Sequence, residues 1–319
     1  LLTLKNTFPE EENMLKKELT AALALMGAIA PFAAHADQGM SMNQQSGQPA
    51  YTAGESVKRG ALPAGYSQSA NYKIDDSYDV YFTGDFIYWC LQQDGLVVNS
   101  SGGTTTFMDA SYKPGFQVGL GFNMAGMDDW NMYSEYTWYK NNHTTTAGSS
   151  SLKTHYVYNN LNVLLQRPFY WGRKLTANFG FGLRALWLTN NLTYTSDELN
   201  QKSWALGPRV GLDTSWLLGA GFRFMADAGV SALYTSYTTF SNSFAAASDN
   251  YNTVRAITET ALGLGWGSYF GDNNDFHFDL SASYEFNIYW DQNMAGVLVG
   301  GTPRNNYLHG LNVAVRFDF

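Results

Sequence analysis

The chain has 319 residues, a formal net charge of −8 at pH 7 and one cysteine, Cys90. The length suits one large domain or two small ones, the acidic balance excludes nucleic acid as a natural partner, and a lone cysteine excludes an intrachain disulfide and argues against a cysteine metal cluster. Aromatic residues reach 16% while charged residues are only 14%, a mixture that fits strands with an aromatic lipid-facing side and a polar second side.

The first element is a leader. Met14, Lys16 and Lys17 precede an apolar run from Leu19 to Ala30, and Pro31 is followed by Ala34-His35-Ala36. A basic start, a short apolar core and a small-x-small triplet predict a signal peptide cleaved after Ala36, with Met14 as the expected start. The core is too short for a membrane-spanning helix, which needs roughly twenty apolar residues, and no run of eighteen occurs elsewhere. Residues 1–36 are therefore read as upstream extension plus signal peptide. Residues 37–77, rich in Gln, Ser, Gly and Ala and without a period, are read as a flexible, disordered segment.

From Tyr78 the pattern becomes alternating with period two. Phe276, Phe278, Leu280, Ala282, Tyr284, Phe286 and Ile288 alternate with His277, Asp279, Ser281, Ser283, Glu285 and Asn287. A strand puts one set on each face. Clear alternation also covers Phe116–Asn123, Leu175–Trp187, Trp204–Asp213 and Phe222–Ser231. Weaker segments are Tyr78–Leu91, Trp130–Lys140, Tyr156–Arg167, Thr253–Phe270 and Tyr307–Phe319. About ten strands result, with helix confined to the leader and short turns.

The connectors alternate in length. Short joins lie at 124–129, 168–174, 217–221 and 271–275, and longer polar joins at 92–110, 141–155, 189–203, 236–252 and 289–306. Outer-membrane barrels have short periplasmic turns and long extracellular loops, and an even strand number returns both chain ends to the short-turn side. The expected fold is thus all-β, a closed antiparallel transmembrane β-barrel spanning residues 78–319, in the bacterial outer membrane. A soluble sandwich is the competing reading. Against it stand segments of ten or more residues, longer than a typical soluble strand, and the export signal. The last strand ends on Val315, Phe317 and Phe319, an alternating run with a terminal aromatic that is expected to act as the C-terminal signal for barrel-assembly machinery.

Charges cannot face lipid cheaply, at about 2–4 kcal/mol for Arg or Lys at mid-depth. The candidate interior residues are therefore Asp85, Glu135, Arg184, Arg209, Asp213, Arg223, Asp227, Arg255, Glu259, Asp279, Glu285 and Arg316. They could line a pore with opposed acidic and basic walls, or fill a narrow barrel as ion pairs. Eight strands give a filled lumen and sixteen a channel, so ten lies near the filled end. The nine tryptophans fall mostly at strand ends, as interfacial girdles would require. His143, His155 and His309 lie near loop ends, but no spacing pairs them with an acid, and no enzyme is expected. Gly263, Gly265 and Gly267 sit inside a strand and are read as relieving crowding. No cofactor or metal is expected. The expected partners are lipid, lipopolysaccharide and the assembly machinery, with a homo-oligomer left open.

Several segments resemble the MOMP-like family of pore-forming outer-membrane proteins of Legionella and chlamydia-like bacteria. They are Gly84-Asp85-Phe86-Ile87-Tyr88-Trp89 with Gln93-Asp94-Gly95-Leu96, Asn162 to Phe169, Gly182 to Trp187, and Trp204 to Leu212. The resemblance runs from about Tyr78 to Phe319. It implies porin-like passive diffusion of small hydrophilic solutes and brings no catalytic residues. The alternative is a non-conducting barrel acting through its surface loops as an adhesin or structural envelope protein. Chlamydial members are cysteine-rich and cross-linked; Cys90 alone departs from that.

Overall fold

The computed structural model describes residues 79–101, 104–124, 129–171, 174–194, 197–242, 251–270, 276–294 and 302–319. The expected signal peptide and the segment 37–77 lie outside the described residues.

The strands are β1 (Val80–Gln93), β2 (Val97–Ser101), β3 (Thr104–Phe107), β4 (Ser111–Met124), β5 (Trp130–Ala147), β6 (Ser150–Trp171), β7 (Leu175–Tyr194), β8 (Asp197–Gly219), β9 (Phe222–Asn242), β10 (Tyr251–Phe270), β11 (Phe276–Asn293) and β12 (Arg304–Asp318). Ten of them close in the order β1-β12-β11-β10-β9-β8-β7-β6-β5-β4, and β2–β3 form a separate hairpin. All barrel pairings are antiparallel, and β1 joins β12 with Gly84 opposite Val315. Phe319 seals the seam, its backbone N–H donating to the Val80 carbonyl at 3.0 Å. Closure leaves no unpaired sheet edge, which the hydrocarbon core of a membrane forbids.

Alternation sorts the side chains as the sequence pattern requires. Phe82, Phe86, Phe181, Leu183, Leu212, Leu262 and Phe317 point outward and are exposed. Their neighbours Asp85, Arg184, Asp213, Glu259 and Arg316 turn into the barrel. Large apolar side chains outside, with charged ones turned inward, are the reverse of a soluble sandwich.

The strands are longer than the apolar pattern. β6 has 22 residues and β8 has 23, against the roughly 9–11 that span a membrane. The joins read as long loops at 141–155 and 189–203 are mostly strand: β5 and β6 continue to Ala147↔Ser150, and β7 and β8 to Tyr194↔Asp197. Gly148, at φ 62°, makes the first of these turns possible without strain. Apolar residues in these extensions are isolated, as at Leu152, Leu192 and Leu199, so no hydrophobic alternation marks them. The join at 92–110 contains the β2–β3 hairpin. At the other end, β8 and β9 are linked through Ala220 and Gly221, both at positive φ, in the manner of a tight two-residue hairpin.

Candidate functional site in the barrel interior

The half of the interior nearer the long joins is filled with apolar and aromatic side chains. Trp89 on β1, Tyr139 on β5, Tyr156 and Tyr158 on β6, Leu186 and Leu188 on β7, Leu233 on β9, Ile257 on β10, Tyr289 on β11 and Leu308 on β12 belong to one cluster, none more than 3% exposed. The Tyr289 hydroxyl donates to the Tyr158 hydroxyl at 2.8 Å. β6 and β11 stand five places apart in a ring of ten, so this bond spans the barrel diameter. Trp89 meets Tyr158 edge to face, and the Tyr139 hydroxyl donates to the Trp89 carbonyl at 2.9 Å. A ten-stranded barrel is narrow enough for side chains to meet across its axis. The cluster therefore forms a septum.

Two further layers lie beyond the septum. The hairpin packs Val98 against Leu152, Leu192 and Leu199 of β6, β7 and β8, although it leaves from β1 and returns to β4. Gln201 of β8 donates to the Gln292 carbonyl of β11 at 3.0 Å, again across the mouth.

On the other side of the septum is a polar chamber of about 380 Å³. Asp85, Glu135, Arg184, Arg209, Asp213, Asp227, Glu259, Glu285 and Arg316 line it. Arg184, 1% exposed, donates to Glu259 at 2.6 Å, and Arg209 donates to the second oxygen of the same carboxylate at 2.9 Å. Asn162 supports Arg184 by accepting from its Nε at 2.8 Å. Tyr81, Tyr133 and Arg316 line the chamber's short-turn end. There Arg316 lies over the Tyr81 ring at 3.7 Å, Tyr81 stacks on Tyr133, and Arg316 pairs with Asp318. Gly121 makes this arrangement possible: a Cβ there would sit 1.9 Å from the Tyr81 ring.

The other three sequence candidates lie outside the chamber. Arg223 pairs with Asp279 near the short-turn end. The side chain reaches across β10, where a Cβ at Gly265 would lie 3.0 Å from the Arg223 guanidinium. Gly265 and Gly267 thus leave room for the side chains of Arg223, Asp279 and His277, whereas Gly263 lies against the β11 backbone at Ala282 and Ser283. Arg255 lies in the opposite half, near Met294 and 3.8 Å from Asp291. Separate acidic and basic walls are not found; Arg184 and Arg209 converge on one glutamate instead.

Other single residues are now placed. Trp89, read as an interfacial girdle residue, belongs to the interior septum, because its parity on β1 is that of Tyr81 and Asp85. Trp171, Trp204, Trp216 and Trp290 are exposed on the outside. His155 contacts Asn142, and His309 contacts Tyr284. Cys90 is buried. Phe317 and Phe319 are on the outer face, where Phe319 meets Phe82 and Phe276 edge to face. The septum itself escaped sequence reading, though a signal was there. On β7 the face bearing Asn178 and Arg184 turns apolar at Leu186 and Leu188; on β6 the face bearing Asn162 and Asn160 turns aromatic at Tyr158 and Tyr156.

Closure, the outward apolar face and the polar interior define an outer-membrane β-barrel protein. Residues 65–319 match the family model described as Legionella pneumophila major outer membrane protein precursor, and the chain belongs to that family. No curated protein matches the chain. Among solved structures it is similar to Neisserial surface protein A, with 12% identity over 77% of this chain and 100% of that one, at a TM-score of 0.29. It is also similar to the translocator domain of the autotransporter NalP from Neisseria meningitidis, with 8% identity over 77% and 90% at a TM-score of 0.39. A third is the P. putida toluene transporter TodX, with 9% identity over 81% and 97% at a TM-score of 0.31.

Proposed function

We propose that this protein is a resting-state closed barrel of the outer membrane, which serves as an envelope component and presents its extended β5–β8 strands and the β2–β3 hairpin to the cell exterior. The observation that carries this reading is the septum, in which Tyr289 and Tyr158 meet at 2.8 Å across the lumen. A hydrated ion has no route through a layer of side chains packed to 3% exposure or less. In this reading the short turns face the periplasm, lipid covers the outward aromatic side, lipopolysaccharide surrounds the outer rim, and Val315, Phe317 and Phe319 are read by the assembly machinery. The protein has no catalytic role. Planar-bilayer recording of the purified, refolded barrel tests the proposal: no conductance is expected, and stable salt-dependent steps would overturn it.

One observation favours porin-like diffusion of small hydrophilic solutes as a second reading. The chamber of about 380 Å³ already supplies half of a polar passage. Passage then requires the septum to move, so conductance would come in rare, brief openings.

A further inference from the structure

The chamber carries unbalanced charge. Arg184 and Arg209 are both held by Glu259, and Arg316 by Asp318. Asp85, Glu135, Asp213, Asp227 and Glu285 remain, and among the described residues no cationic side chain stands within ion-pair distance of them. Their donors are neutral. Asn312 Nδ2 reaches Asp85 at 3.3 Å and Glu285 at 2.7 Å; Asn162 and Tyr133 reach Glu135 at 3.1 and 3.2 Å; Gln166 reaches Asp213 at 3.2 Å. Arg209 and Arg223 act on Asp213 and Asp227 from beyond contact distance, but no cation touches any of the five. Buried carboxylates without a contacting counter-ion are costly, and a cation in the cavity would reduce that cost.

Their placement is bipolar. Asp85, Glu135 and Glu285 come from β1, β5 and β11 on one side of the ring, whereas Asp213 and Asp227 face each other as direct partners on β8 and β9, on the opposite side. An independent observation points to a ligand. Asn160 lines the same chamber at 2% exposure, and its buried Oδ1 accepts no hydrogen bond. Asn178 Oδ1 and Asp85 Oδ1, in the same chamber, are buried without a donor as well, and a buried acceptor calls for one. Among the described residues no group of side chains is spaced to hold a metal ion. The demand is therefore for N–H donors spread over a length, which a compact ion does not supply.

We propose that the chamber is a binding site for a small linear organic cation with two or more ammonium groups. One ammonium sits among Asp85, Glu135 and Glu285, and another reaches the Asp213–Asp227 pair. An N–H near the septum donates to Asn160. The site does not depend on whether the barrel conducts, because occupancy is read without current.

The test is calorimetric titration of spermidine into the full barrel in detergent, and into barrel refolded with spermidine and then dialysed. Magnesium and glucose are the controls. Saturable 1:1 binding of spermidine is expected. The isosteric pairs Asp213→Asn with Asp227→Asn, and Asp85→Asn with Glu285→Gln, should each weaken it at least about tenfold, the loss expected for one charge-assisted contact. If a pair fails to fold, Glu285→Gln alone is read for the same loss. Absence of saturable binding would overturn the site, as would binding unchanged in the folded variants, which would place spermidine on the outer surface. Tighter magnesium binding lost in the same variants would also overturn it, in favour of a metal site.

Discussion

Tyr289 and Tyr158 donate and accept one hydrogen bond of 2.8 Å from opposite walls of the barrel. The rings are nearly perpendicular, with centroids 5.7 Å apart, an edge-to-face contact. Tyr289→Phe keeps the ring and removes the donor, leaving the buried Tyr158 hydroxyl to find another partner. We expect a loss of about 1–2 kcal/mol in folding free energy. It would be measured as a shifted urea midpoint of the folded, faster-migrating band on unheated gels. An unshifted midpoint would mean that the bond contributes nothing.

Glu259 holds two guanidinium groups at once. Glu259→Gln leaves Arg184, 1% exposed, without a carboxylate inside the barrel. Breaking a buried pair from one side costs about 3–5 kcal/mol. Arg209→Gln should cost much less, because Arg209 is partly exposed and Glu259 keeps Arg184. The same urea titration ranks the two. Equal losses would contradict the asymmetry.

Gly121 accommodates the Tyr81 ring. Gly121→Ala should displace that ring, break its stack on Tyr133 and withdraw it from beneath Arg316, at a cost of about 1–3 kcal/mol. Adding Tyr81→Ala should recover part of the loss, since the clash vanishes with the ring. A double variant no more stable than Gly121→Ala alone would show that the contact is not the cause.

Cys90 is buried in the wall at 0% exposure. A maleimide should label it slowly in the folded barrel and rapidly in urea. A cysteine placed at exposed Ser149, in a Cys90→Ala background, should be labelled on intact cells, whereas one at Ala220, in the short turn at the other end, should not. The reverse pattern would invert the barrel in the membrane.

Much of this architecture was legible in the sequence, and the limits have physical causes. Period-two alternation with an apolar outside is enforced by lipid, so Phe276 to Ile288 and Leu175 to Trp187 could be read directly, and with them the ten strands and the parity of the ends. Lipid enforces nothing beyond the membrane. The extensions of β5 to β8 pass through Thr144, Thr146, Lys153 and Asn191, polar residues that look like loop. Inside the barrel, facing charges were identifiable because lipid rejects them. Which of them meet depends on register and strand tilt, and so the convergence of Arg184 and Arg209 on Glu259 could not be read. Trp89 and Tyr158 were hidden differently: an aromatic near a strand end reads equally well as a girdle or as a plug until its parity is fixed.

The aromatic septum is proposed to shut the interior. Its most direct test is planar-bilayer recording of the wild-type barrel beside the Tyr158→Ala, Tyr289→Ala double variant, both checked for folding by gel migration. Removing two rings that meet across the axis should open the septum and leave only the Val98 cluster and the Gln201–Gln292 contact between the chamber and the far side. The wild type is expected to be silent, and the double variant to show stable steps that grow with salt. A conducting wild type whose step size is unchanged in the folded double variant would contradict the account.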